Sequence, residues 1–161
     1  MKRYWVDSGA IIWANRDLFP LDSVRGYWNW LESKMNDGHI VTHKRVYKEI
    51  IAGAVGERPD PIAVWVKQRK DKGLNYECTA ESKVLVGEIS AYALDRYGFE
   101  TAKAFLSGAD PFLIARTAVD GGTVVTQESV TKQPRIPSIC AKFKVDCIPL
   151  TRMNIELKMK F

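Results

Sequence analysis

Short apolar runs alternate along this chain with longer stretches in which apolar residues recur every three or four positions. That alternation predicts a mixed α/β chain. Residues 3–7 form an apolar run ending in a carboxylate and predict a short buried strand. Over 23–36, Val24, Tyr27, Trp28, Leu31 and Met35 fall at 3.6-residue spacing, and Asp37-Gly38 supplies a stop, so an amphipathic helix is expected there. Residues 39–41 predict a short strand, and Thr42 the cap of a helix over 43–52 with Val46 and Ile50 inward. Asp60-Pro61 opens another helix, carrying Ile62, Trp65, Val66 and Arg69 on one stripe. Thr79 caps a helix over 80–97, and residues 100–106 make a further short one. Asp110-Pro111 repeats the cap-plus-proline signal, and Gly121-Gly122 ends the helix it opens. Residues 123–126 read as a buried strand; a polar loop over 127–135 leads to a helix at 137–143 and a last strand at 146–148. In the tail, Met153, Ile155, Leu157, Met159 and Phe161 alternate with polar residues, which predicts a C-terminal edge strand over at least its second half.

Short apolar strands separated by helices suit a parallel sheet covered on both faces. A length of 161 residues with 46% hydrophobic composition fits one domain, 1–161, with a real core. No apolar run approaches the ~20 residues that span a membrane. The start of the chain carries charge and its apolar stretch is soon interrupted by Asp7, unlike a secretory leader, so a cytoplasmic location is expected. Cys78, Cys140 and Cys147 include no Cys-x-x-Cys pair and read as reduced packing thiols. His39 and His43 stand four apart, but the β-branched residues between them argue for a strand, and no third zinc ligand is near in sequence. The net charge of +5 favours an acidic partner such as nucleic acid. Neither a G-x-x-x-x-G-K-[ST] loop nor a G-x-G-x-x-G after a strand is present, which argues against a nucleotide-binding protein.

In open sheets of this kind ligands bind beyond the carboxyl ends of the strands, so the acids placed there carry the functional reading. Asp7 ends the first strand, and Glu128 lies two residues past the strand 123–126. Asp110 starts the helix before that strand, and Glu49 borders the apolar face of helix 43–52. Each has a plainer reading: Asp7 in a turn with Gly9, Asp110 as a cap before Pro111, Glu49 as a solvated helix residue, Glu128 as a loop residue. Together in one pocket they would repel, and a divalent cation is the usual compensation. Carboxylate oxygens with room for water suit Mg²⁺ or Mn²⁺.

The order of these pieces resembles the PIN-domain family of metal-dependent ribonucleases, in its VapC-like toxin type. That family opens with a strand ending in Asp-Thr-Asn or a near variant; here it is Asp7-Ser8-Gly9. A second acid on a helix is commonly followed by Leu or Ile, as in Glu49-Ile50, and a third sits in a pattern like A-x-D-x-x-L-I-A-x-A, here residues 108–118 around Asp110. A strand ending in Thr-x-Asp comes after it, here Thr126-Gln127-Glu128. The Trp-Asn-Trp-Leu-Glu segment at 28–32 resembles an uncharacterised bacterial subgroup of PIN-like proteins. The resemblance implies a three-layer α/β/α sandwich with a mainly parallel central sheet. It implies Asp7, Glu49, Asp110 and Glu128 as catalytic metal ligands, Ser8 and Thr126 in support, and Mg²⁺ or Mn²⁺ as cofactor. It also implies an RNA substrate and an antitoxin partner, with a homodimer open and no membrane. Of the five tryptophans, Trp5 and Trp28 are expected in the core; other aromatics suit an interface. Gly9 stands where the family has Asn or Ser, and Glu128 is one carbon longer than the usual Asp. These departures keep open an alternative: a catalytically degenerate PIN-like module that binds RNA or protein.

Overall fold

The structure, a computed structural model, describes residues 1–129 and 133–161. The centre of the polar loop expected over 127–135, residues 130–132, lies outside the described residues. The four strands are β1 (Tyr4–Val6), β2 (Ile40–Val41), β3 (Thr123–Val125) and β4 (Asp146–Ile148), in one sheet of order β2-β1-β3-β4. Every pairing is parallel, with Tyr4 opposite both Ile40 and Thr123, and Val125 opposite Val6 and Ile148. The two inner strands are buried at every position, as a strand covered on both faces must be, while Asp146 on edge strand β4 is exposed.

Helices flank this sheet: α1 (Ser8–Trp13), α2 (Arg25–Asn36), α3 (Lys44–Ile51), α4 (Pro61–Lys67), α5 (Ala80–Tyr97), α6 (Phe99–Ser107), α7 (Asp110–Asp120), α8 (Ile136–Phe143) and α9 (Leu150–Glu156). This is the PIN-like α/β architecture expected from the sequence. No helix among the described residues is long and apolar enough to cross a membrane. Trp5 and Trp28 are fully buried. Each indole finds a partner for its N–H: Trp5 donates to Asp120 (3.0 Å) and Trp28 to the Phe19 carbonyl (2.7 Å). Thr79 caps α5 in a reciprocal capping box with Ser82, and Asp60 caps α4 through the Ile62 amide.

Two local expectations fail. The tail is not an edge strand: residues 150–156 are helical, and Leu150, Met153 and Asn154 are buried at helical spacing while Ile155 is 68% exposed. Glu156 anchors this helix at the amino end of β1, accepting hydrogen bonds from the Tyr4 hydroxyl and Lys2 and pairing with Arg152. Thr42 does not cap α3; its hydroxyl donates to the Val6 carbonyl (2.6 Å), and His43 is the cap, with Nδ1 accepting from the Arg45 amide (3.0 Å). After Asp7 the chain enters α1, which the sequence pattern does not mark, and then a π-helical segment over Ala14–Leu18. Gly9, a poor helix former, hides that helix in the sequence.

Gly122 lets α7 return to the sheet at close quarters. A Cβ there would meet the Arg3 carbonyl oxygen at 2.7 Å and the Trp5 ring at 2.9 Å, whereas one at Gly87 in α5 would meet nothing within 4 Å. Gly122→Ala is therefore expected to lower the free energy of unfolding by about 1–3 kcal/mol. Gly87→Ala is expected to raise it by about 0.5–1 kcal/mol. Urea unfolding of the two variants checks both signs.

Candidate active site

Parallel pairing brings the carboxyl ends of all four strands to one edge of the sheet, and the chain places acids there. Asp7 leaves β1 with its amide donating to the Val125 carbonyl (2.9 Å) and its side chain only 4% exposed. Its Oδ2 accepts from the Thr126 hydroxyl (3.0 Å), and the same hydroxyl oxygen accepts the Glu128 amide (3.1 Å). Ser8 Oγ lies 3.4 Å from Asp7 Oδ1 and 3.2 Å from Glu49 Oε2, so its single proton serves one carboxylate at a time. Glu49 reaches across from α3, and its Oε1 accepts the Ala109 amide (3.0 Å), the residue before Asp110. Glu128 Oε2 accepts the Ile136 amide at the start of α8 (2.8 Å), and its Oε1 stands 3.7 Å from the Arg135 guanidinium.

Asp110 behaves differently from Asp60, although both precede proline. It is the first residue of α7 and makes no cap bond, and its carboxylate accepts no hydrogen bond among the described residues. The cap reading therefore holds for Asp60 and fails for Asp110. All four expected acids, with Ser8 and Gly9, line one cleft of about 550 Å³; Thr126 lies beneath it, behind Asp7. Arg16 and Arg135 also line it. Sequence reasoning missed both arginines, because one sits in the π-helical segment and the other at the end of the polar loop.

Crowding shows in the acidities. Burial, then the Glu128 charge, raises the Asp7 carboxyl to about 6, against the Thr126 hydroxyl and the amides of Gly9 and Ser8. Burial, then the charges of Asp7, Glu128 and Glu49, raises Asp110 to about 8, with Arg135 opposing. Burial and its neighbours' charges thus favour a proton on Asp110 in the metal-free cleft. A hard divalent cation would replace that proton, and the lining supplies only oxygen ligands, without histidine or cysteine. The donor set fits Mg²⁺ or Mn²⁺ in charge and kind. Its oxygens do not converge on a single point: among the described residues no three His, Cys, Asp or Glu side chains are grouped to hold an ion. Glu49 and Glu128 each have one oxygen turned to a backbone amide instead.

A four-stranded parallel sheet with helices about it, and acids gathered at its carboxyl edge, makes this an α/β protein with a candidate site at the strand exits. The chain belongs to the family described as Domain of unknown function (DUF4411), whose model matches residues 4–161. No curated protein matches it. Among solved structures it is similar to VapBC2 from Rickettsia felis bound to a DNA fragment from its promoter, at 16% identity and a TM-score of 0.58, covering 91% of this chain and 97% of that one. It is likewise similar to DNA-bound VapBC from Salmonella typhimurium, at 16% identity and a TM-score of 0.59, covering 92% and 98%. Likeness at that identity establishes the shared fold.

The raised proton affinity of Asp110 has a thermodynamic sign. Unfolded, the group titrates near its ordinary 3.8; folded, near about 8, so the folded chain binds the extra proton. This contribution to stability is present below about pH 4 and is lost as pH rises towards about 8. In chelator, Asp110→Asn is expected to melt higher than the wild type at about pH 8, with the gap closing towards about pH 4. Parallel melting curves across that range would place the pH dependence elsewhere.

Proposed function

We propose that this chain, acting as one PIN-like domain, is a divalent-metal-dependent endoribonuclease that hydrolyses phosphodiester bonds of RNA. We further infer that it is the toxin of a toxin–antitoxin pair. The observation that carries the reading is the convergence of Asp7, Glu49, Asp110 and Glu128, from four separate segments, on one cleft. Asp110 stands in it with no hydrogen bond from a described residue.

Asp7 and Asp110 would hold the ion directly. Glu49 and Glu128 would complete its surroundings with the oxygens not engaged by Ala109 and Ile136. A bound Mg²⁺ or Mn²⁺ supplies Lewis-acid activation of water and phosphate and offsets the charge of the transition state. Thr126 fixes the Asp7 carboxylate through its hydroxyl, and Ser8 orients either Asp7 or Glu49. Arg135 and Arg16 line the same cleft and offer cations to the phosphate backbone. In-line attack by water would leave a 5′-phosphate and a 3′-hydroxyl. Single-stranded regions are the favoured substrate, because an A-form duplex hides its base edges. The two VapBC assemblies that share the fold support a protein partner for this chain. An acidic cleft of this kind would be covered by arginine or lysine from that partner. Glu49 and Glu128, each tied to a backbone amide, favour the second reading, a module that retains RNA without cutting it.

End-labelled single-stranded RNA incubated with Mg²⁺ or Mn²⁺ decides between them. Metal-dependent products are expected, with Asp7→Asn reducing the rate by about 10²-fold or more. Millimolar ion is also expected to raise the melting temperature of the wild type. Retention of intact RNA with no effect of metal on melting or product would favour the module.

A further inference from the structure

A second cavity, of about 410 Å³, opens beside the amino-terminal half of α3, and no role assigned so far uses it. Lys44, Arg45, Lys48 and Lys83 line it, with Glu77 as the one acid, already held by Lys44 at 2.7 Å. Arg116 joins this rim by donating from Nε to the Glu77 carbonyl (3.2 Å). His43, buried at the floor, reports the local field. Its affinity for a proton is depressed to about 4 by burial first, then by Arg45 and Arg116, with Lys44 adding and Glu77 opposing. Positive charge is thus in excess here, and the cavity is open to solvent.

The cavity adjoins the acidic cleft through two elements. Along α3, Lys48 faces the basic cavity while the next residue, Glu49, faces the cleft. From Lys44 to Glu49 the helix rises only about 7.5 Å. Across the wall between them, the Arg45 guanidinium lies 3.7 Å over the ring of Phe112, two residues beyond Asp110. That contact holds Arg45 in place beside the start of α7. A nucleic-acid strand entering a cleft lined by four carboxylates needs its affinity from elsewhere, because phosphates and carboxylates repel. Cations immediately beside the cleft supply it.

We propose that the cavity lined by Lys44, Arg45, Lys48 and Lys83 is a backbone-phosphate site that grips single-stranded RNA next to the acidic cleft. The proposal rests on the nuclease reading above and specifies where its substrate is held. Binding there is to phosphate and carries no base preference of its own.

The test measures anisotropy of a fluorescein-labelled single-stranded oligoribonucleotide with Asp7→Asn protein, in Mg²⁺, across a range of salt. Adding Lys48→Gln and Lys83→Gln is expected to weaken binding about tenfold and to reduce the slope of log affinity against log salt by roughly one to two. Lys158→Gln with Lys160→Gln removes the same charge from the tail beyond α9, which docks at the other end of β1, and is expected to leave affinity near the parent's. The Mg²⁺-induced melting shift, measured in the wild-type background, is expected to survive both pairs. Equal affinity of the Lys48/Lys83 variant and its parent, or equal losses in both pairs, would overturn the proposal alone. A parent that binds no RNA would remove the nuclease reading and this site with it.

Discussion

The exits of β1 and β3 are locked to each other, and the rest of the site depends on that lock. The Asp7 amide bonds the Val125 carbonyl, and the hydroxyl of the adjacent Thr126 bonds the Asp7 carboxylate. The first bond belongs to the parallel ladder; the second converts ladder register into a fixed position for a buried charge. Thr42 adds a third fastening by donating from β2's exit to the Val6 carbonyl. Three adjacent strands therefore end at a common edge with their exits tied to one another.

Like charges gathered on such an edge must be compensated. Hydrogen bonds do part of this: backbone amides serve Glu49 and Glu128, and hydroxyls serve Asp7. Arg135 offsets some of the rest from beside Glu128. Asp110 is left without such a bond among the described residues, and the crowding falls on it as a raised affinity for a proton. A group that holds a proton largely because it is buried among negative neighbours is also one that a cation can displace from that proton. The same geometry would make the metal-free fold less stable as pH rises through the range where Asp110 titrates, and would favour exchange of that proton for a hard ion. The basic cavity beside α3 gives the chain a matching region of opposite sign, one residue away along the same helix.

The strands and the acids at their ends were legible in the sequence because parallel sheets leave few choices: a run such as Tyr-Trp-Val can only be buried, and the residue after it must emerge at the open edge. Other features depended on tertiary contacts that no local pattern records. Asp60-Pro61 and Asp110-Pro111 are the same dipeptide, yet only Asp60 caps its helix; ahead of Asp110, Glu49 takes the Ala109 amide from sixty residues away. The tail carries both periods at once, since Met153 and Leu157 suit a strand or a helix. The buried Asn154, bonded to Tyr27, and the anchoring of Glu156 by Tyr4 decide for the helix. Gly9 masked α1, and Arg135 lay in a polar loop with no period to place it.

The central claim is that folding assembles an oxygen cage for a divalent ion between Asp7 and Asp110. Anomalous diffraction from crystals soaked in Mn²⁺ addresses it directly. The account predicts a manganese peak in the acidic cleft, with Asp7 and Asp110 oxygens at ligating distance and the oxygens of Glu49 and Glu128 not bonded to Ala109 and Ile136 turned towards it. A cleft free of manganese would contradict it.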